Sequence, residues 1–117
     1  MATSRSGNRP AAWIASASVF SGRPDPTWPV SDEIARELLA IWDALEPFEG
    51  SLPAAPALGY RGCALRDGDG RTWSTHGDVV RLTQDGAGES RVDGERRFEG
   101  RLLSSAPEGL LPAIGGG

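Results

Sequence analysis

An α+β domain is predicted, ordered strand, helix, strand, strand, strand, helix, with a small antiparallel sheet and both helices packed on one of its faces. Three features predict it. Trp13, Ala15, Ala17 and Val19 alternate with Ser16 and Ser18, the period-two pattern of a half-buried strand. Ile34, Leu38, Ile41, Trp42 and Leu45 recur at i, i+4, i+7, i+8 and i+11, which is one face of an α-helix. Between residues 60 and 83, short apolar runs flank glycine-rich turns, as antiparallel hairpins require.

In chain order, residues 1–10 are polar and contain glycine and proline, so a disordered leader is expected there, with a single domain over 11–112. The first strand runs from Trp13 to Phe20. Residues 21–29 hold Pro24, Pro26 and Pro29; each fixes its own φ and keeps the preceding residue out of the helical region, so a stiff loop is expected. Ser31 suits an N-cap, Asp32 and Glu33 complement the helix dipole, and Pro47 closes the helix. Residues 48–57 read as a linker. Strands follow at Tyr60–Arg66, Arg71–Thr75 and Asp78–Thr83, with Asp67-Gly68-Asp69-Gly70 as the first turn and Gly77 at the second. Val80 and Leu82 share one strand face and Val79 takes the other. Gln84–Ser90 reads as loop, Asp93 as the cap of a last helix carrying Phe98, Leu102 and Leu103, and residues 113–117 as a flexible glycine tail.

Composition narrows the function. At 117 residues the chain buries roughly 65% of its unfolded surface, enough for one core. All twelve basic residues are arginine, which removes Schiff-base chemistry and a P-loop lysine. A net charge of −4 with scattered arginines argues against a nucleic-acid partner. One cysteine and one histidine cannot build a structural zinc site or an internal disulfide. The five-residue apolar run at 11–15 is short for a secretory signal, so the expected location is cytoplasmic, and no stretch is long enough for a membrane partner. No cofactor is implied.

Several motifs fail on inspection. Asp67-Gly68-Asp69-Gly70-Arg71 begins like a calcium loop, but arginine stands at its fifth position and no glutamate closes it. Gly86-Ala87-Gly88 lacks the third glycine of a dinucleotide fingerprint, where Arg91 stands. Cys63, between Gly62 and Ala64, reads as a small buried hydrophobe, with Arg61 two residues away as the one neighbour that favours a thiolate. His76 is a turn histidine or a general base paired with Asp78, the latter only if Gly77 leaves both on one strand face. Gly116-Gly117 is an ordinary tail or the end of a glycine-tailed carrier.

The loop at 21–28 is the strongest candidate site. Arg23 offers a planar fork to an anion, Asp25 a polar partner and Trp28 an apolar face, on a backbone stiffened by proline. In the packing account, Arg23 and Asp25 pair internally and Trp28 plugs the core. Val19-Phe20-Ser21-Gly22-Arg23-Pro24-Asp25-Pro26-Thr27-Trp28 followed by Leu58-Gly59-Tyr60-Arg61-Gly62 resembles a family of short, uncharacterised bacterial and fungal proteins that pair an SGRPNP-x-W segment with a GYRG strand. Here Asp25 replaces the family's usual asparagine and Cys63 a larger hydrophobe. The resemblance implies that the two segments form one unit, and it implies no reaction. As one unit they would gather Arg23, Asp25, Trp28, Tyr60 and Arg61 into a patch for an anionic small molecule or a peptide. The expectation is a non-catalytic binding or interaction module, against the alternatives of a His76/Asp78 acid–base enzyme and a carrier.

Overall fold

A computed structural model describes residues 13–18, 25–52 and 62–111. The expected leader and glycine tail lie outside the described residues, as do Arg23, Tyr60 and Arg61. The elements are β1 (Trp13–Ala17), β2 (Thr27–Val30), α1 (Asp32–Asp43), β3 (Glu46–Pro47), β4 (Cys63–Arg66), β5 (Thr72–His76), β6 (Val79–Gln84), β7 (Ala87–Val92) and α2 (Arg97–Ser104). The strands form one seven-stranded sheet in the order β2-β1-β4-β5-β6-β7-β3, antiparallel throughout.

The mixed α and β class stands, and the element order is corrected: the sheet is larger than expected by β2, β3 and β7. Residues 27–30 are a strand and not the end of a stiff loop, because β2 is an edge strand, where the missing N–H of Pro29 breaks no second ladder. Trp28 and Val30 are buried while Thr27 and Pro29 are exposed. Residues 87–90 are strand and not loop. Asp85 and Gly86 have φ of 52° and 84° and join Gln84 to Ala87 in the two-residue turn whose central positions both need positive φ. Helix α1 ends at Asp43, before Pro47: the Ala44 N–H closes it on the Ile41 carbonyl and the Leu45 N–H on the Trp42 carbonyl, both at 3.1 Å, and Pro47 of β3 pairs with Arg91 of β7.

The α1 face is the expected one. Ser31 caps it, its Oγ accepting from the Ile34 N–H at 3.2 Å, and Ala35, Leu38 and Trp42 are buried. Since β2 and β3 are opposite edges, α1 crosses the sheet from one edge to the other. The start of α2 is held from upstream: the Asp93 carboxylate accepts from the N–H groups of Arg97 at 2.9 Å and Phe98 at 2.8 Å, satisfying two donors that a helix end leaves open. The helices and the inner sheet face share a core that includes Ala15, Trp28, Leu38, Trp42, Leu65, Trp73, Val80, Phe98 and Leu102.

Strand alternation sends the remaining side chains to the opposite, outer face. Strand register aligns one row of them across six strands, Thr27, Ser16, Ala64, Ser74, Arg81 and Ser90. These are small or hydroxyl-bearing residues around a single arginine; on the same face Val79, paired with His76, is buried. No helix among the described residues is long and apolar enough to cross a membrane.

Candidate functional site

Two consecutive donors at the end of β1 anchor the two segments singled out in the sequence. The Ala17 N–H donates to the Pro26 carbonyl at 3.2 Å and the Ser18 N–H to the Gly62 carbonyl at 2.8 Å. The first bond holds the end of the proline loop and the second the end of the GYRG segment. Gly62 is required where it stands: its φ is 131°, and a Cβ there would lie 2.7 Å from the Thr75 carbonyl oxygen, inside any tolerable contact.

Around these anchors the outer face opens into a cleft of about 210 Å³ lined by Ser16, Ser18, Asp25, Gly62, Ala64, Ser74 and His76, with Cys63 and Thr75 behind them. Thr75 is buried and braces this wall. Its hydroxyl accepts from the Cys63 N–H at 2.9 Å and donates to the Cys63 carbonyl at 3.3 Å. The Cys63 thiol lies 3.6 Å from the same Thr75 hydroxyl and belongs to the core cluster, 4% exposed, as expected of a small buried residue.

His76 stands half-buried at the cleft with Nε2 3.0 Å from Oγ of Ser74. Burial first, then the charge of Arg81 on the neighbouring strand, holds its pKa below the ordinary 6.5, so the imidazole is neutral at pH 7. Gly77, at φ 61°, turns the chain directly after it, and Asp78 is exposed in that turn. The side-chain partner of His76 is thus Ser74, two residues upstream on the same strand face. Asp78 uses its carbonyl, which accepts the Asp93 N–H at 2.7 Å.

The other sequence-derived candidates divide. Asp25 is exposed at the cleft. Trp28 is 2% exposed, and its Nε1 donates to Oγ of Ser105 at 2.9 Å; its ring belongs to the core and offers no face to a ligand. Arg23, Tyr60 and Arg61 lie outside the described residues, with Arg23 two positions before Asp25 and Arg61 one before Gly62. Sequence reasoning passed over Ser16, Ser18, Ser74 and Arg81. Their signal was available in part, since Ser16 and Ser18 alternate with the core residues of β1, and Ser74 precedes His76 by one strand repeat.

The Asp67 turn is closed by its own side chain. Oδ1 accepts from the N–H groups of Asp69 and Arg71, both at 2.9 Å, and Oδ2 from Arg71 Nε at 2.6 Å. Burial alone would raise the pKa of this carboxyl; the Arg71 and Asp69 hydrogen bonds and the Arg71 charge outweigh it and hold the pKa below 3.8. Among the described residues no three histidine, cysteine, aspartate or glutamate side chains are grouped to hold a metal ion. Comparison of the chain with protein-family models, curated proteins and solved structures finds no match.

Proposed function

We propose that this protein is a non-catalytic binding module whose ligand, an anionic small molecule or a peptide, lies in the cleft on the outer face of the sheet. One observation carries the reading: the described ends of both segments, Asp25 and Gly62, meet Ser16, Ser18, Ser74 and His76 at a single cleft. The serine hydroxyls and neutral imidazole supply donors and acceptors without a fixed charge. Arg23, two positions before Asp25, and Arg61, one before Gly62, are the candidates for the positive charge that an anion requires.

A thermal-shift screen of anionic metabolites and short peptides tests the proposal, because a ligand stabilises the native state by RT ln(1 + [L]/Kd). The variant Ala64→Leu fills the cleft from an outward position without touching the core. Its ligand-free melting temperature should match wild type while the ligand-induced shift disappears, and Arg23→Ala and Arg61→Ala should lose most of that shift. A compound that stabilises wild type and Ala64→Leu equally would refute the location.

A second reading has its own support in the contact between Ser74 and His76. A hydroxyl on a neutral imidazole is the arrangement in which histidine acts as a general base. Turnover of an ester or amide substrate that is abolished by Ser74→Ala and by His76→Gln would favour this reading over plain binding.

A further inference from the structure

Beyond Ser74, the same outer face carries a second cleft of about 320 Å³, to which Phe48, Gly50, Arg81, Gly88, Glu89 and Ser90 contribute. We propose that Arg81 is the binding residue for an oxyanion, the carboxylate or phosphate group of a ligand lying across this face. The inference rests on the outer face being the binding face, and it adds the chemical group that the ligand must carry.

The guanidinium is held in place by neighbours that, among the described residues, leave its charge unmatched. Nη1 donates to Oγ of Ser90 at 3.0 Å, a neutral acceptor that uses one of five N–H groups. The plane of the group rests against Gly88, where a Cβ would stand 2.6 Å from Cζ, so only glycine lets the side chain lie across β7. The ion pairs among the described residues use Arg71, Arg91, Arg96 and Arg101. Arg36, Arg66 and Arg97 are exposed to water, whereas Arg81 is half-buried. Two acidic residues line the cleft, Glu89 doing so from an inward position of β7. Glu89 is engaged by Arg91 Nε at 2.8 Å, and Glu49 is exposed. The Arg81 charge also reaches the His76 imidazole and helps lower its pKa. A preplaced, half-buried guanidinium with an unmatched charge is what bidentate recognition of an oxyanion needs.

His76 is the single histidine of the chain, so its ring signals report on this site without ambiguity. Sodium phosphate and sodium acetate are titrated separately at fixed ionic strength, following the Arg81 Nε–Hε signal and the His76 Cε1–H signal by NMR. The expected result is a saturable shift of Arg81 and a rise of the His76 pKa on binding, with the stronger of the two salts identifying the preferred oxyanion. Arg81→Gln and Gly88→Ala should each weaken binding about tenfold or more, the scale of one charge-assisted hydrogen-bond pair. Gly88→Ala keeps the arginine and displaces only its guanidinium, so it remains informative if Arg81→Gln is unstable. If neither salt moves the Arg81 signal, or if Gly88→Ala binds like wild type, the assignment is overturned. Shifts confined to Ser18, Ala64 and His76 would overturn it too, while leaving the first cleft as the binding site.

Discussion

Nε1 of Trp28 donates to Oγ of Ser105 at 2.9 Å, and the same hydroxyl donates to the Leu102 carbonyl at 2.6 Å. This chain of two bonds ties the edge strand β2 to the last turn of α2. It also satisfies the polar end of an indole that is otherwise sealed in the core. Trp28→Ala should therefore cost about 3–5 kcal/mol, the range for a large aromatic lost from a packed interior. Ser105→Ala, which removes only the acceptor, should cost about 1–3 kcal/mol. Urea unfolding checks both, and a near-neutral Trp28→Ala would contradict the core position of the ring.

Trp42 marks the buried side of α1 and Asp43 its exposed side. Arg91 lies over the Trp42 ring with Cζ 4.3 Å from the centroid, and its Nη1 donates to the Trp42 carbonyl at 2.8 Å. Trp42→Ala is expected to cost about 3–5 kcal/mol, whereas Asp43→Ala should stay within about 0.5 kcal/mol of wild type. Equal stability of the two variants in chemical denaturation would reverse the assigned face.

That arginine also explains why part of the sheet was hidden in the sequence. The inward positions of β7 are Ala87, Glu89 and Arg91, opposite Gln84, Leu82 and Val80; only the stem of Arg91 and its stacked guanidinium cover apolar surface there, so no hydrophobic alternation announces a strand. Strand β2 was masked differently, by Pro26 and Pro29, which deny a central strand but are tolerated at an edge. Helix α1 was legible because its periodicity, cap and burial all agree. Of the site, His76 and Asp25 could be read from residue type alone. Ser16, Ser74 and Arg81 could not, since their alignment follows from register, and register depends on turns that must be known to the residue.

The pH dependence of stability should carry the signature of His76. Its folded pKa lies below the ordinary 6.5, so between those two values the unfolded chain binds more protons than the native one. Stability is then full above about pH 6.5 and falls as the pH drops toward the folded value, with no further loss from this group below it. His76→Gln should flatten that limb. Denaturation midpoints measured between about pH 5 and 8 decide the matter, and a wild-type curve no steeper than the variant's would show that the imidazole is not desolvated.

Asp67 adds a second acid limb to the pH profile, at lower pH than that of His76. Its carboxyl titrates below its ordinary value in the native state, so its stabilisation is present above the unfolded pKa of about 3.9 and is lost as the pH falls through the folded value. Asp67→Ala removes the acceptor of two N–H groups and the Arg71 partner together, and should cost about 1–3 kcal/mol at pH 7. Asp67→Asn keeps a carbonyl oxygen for the turn and should cost less. Acid unfolding of Asp67→Asn should also lack the part of the wild-type loss that lies below pH 4.

Two glycines of positive φ separate a backbone requirement from mere turn composition. At Gly62 the φ of 131° coincides with a Thr75 carbonyl oxygen 2.7 Å from any Cβ, whereas at Gly86 the φ of 84° faces nothing within 4 Å. Gly86→Asn places a residue that tolerates positive φ in an open turn and should change stability by less than about 1 kcal/mol. Gly62→Ala must push β4 away from β5 or abandon its φ, so it should cost more than about 1 kcal/mol. Because the Gly62 carbonyl accepts from Ser18 N–H, the same substitution should speed amide exchange at Ser18 ahead of the rest of β1. Hydrogen exchange followed by NMR reads that directly. A Gly62→Ala protein with wild-type stability and an unchanged Ser18 amide would mean that the GYRG segment is not anchored on β1, and the cleft would lose one of its two fixed walls.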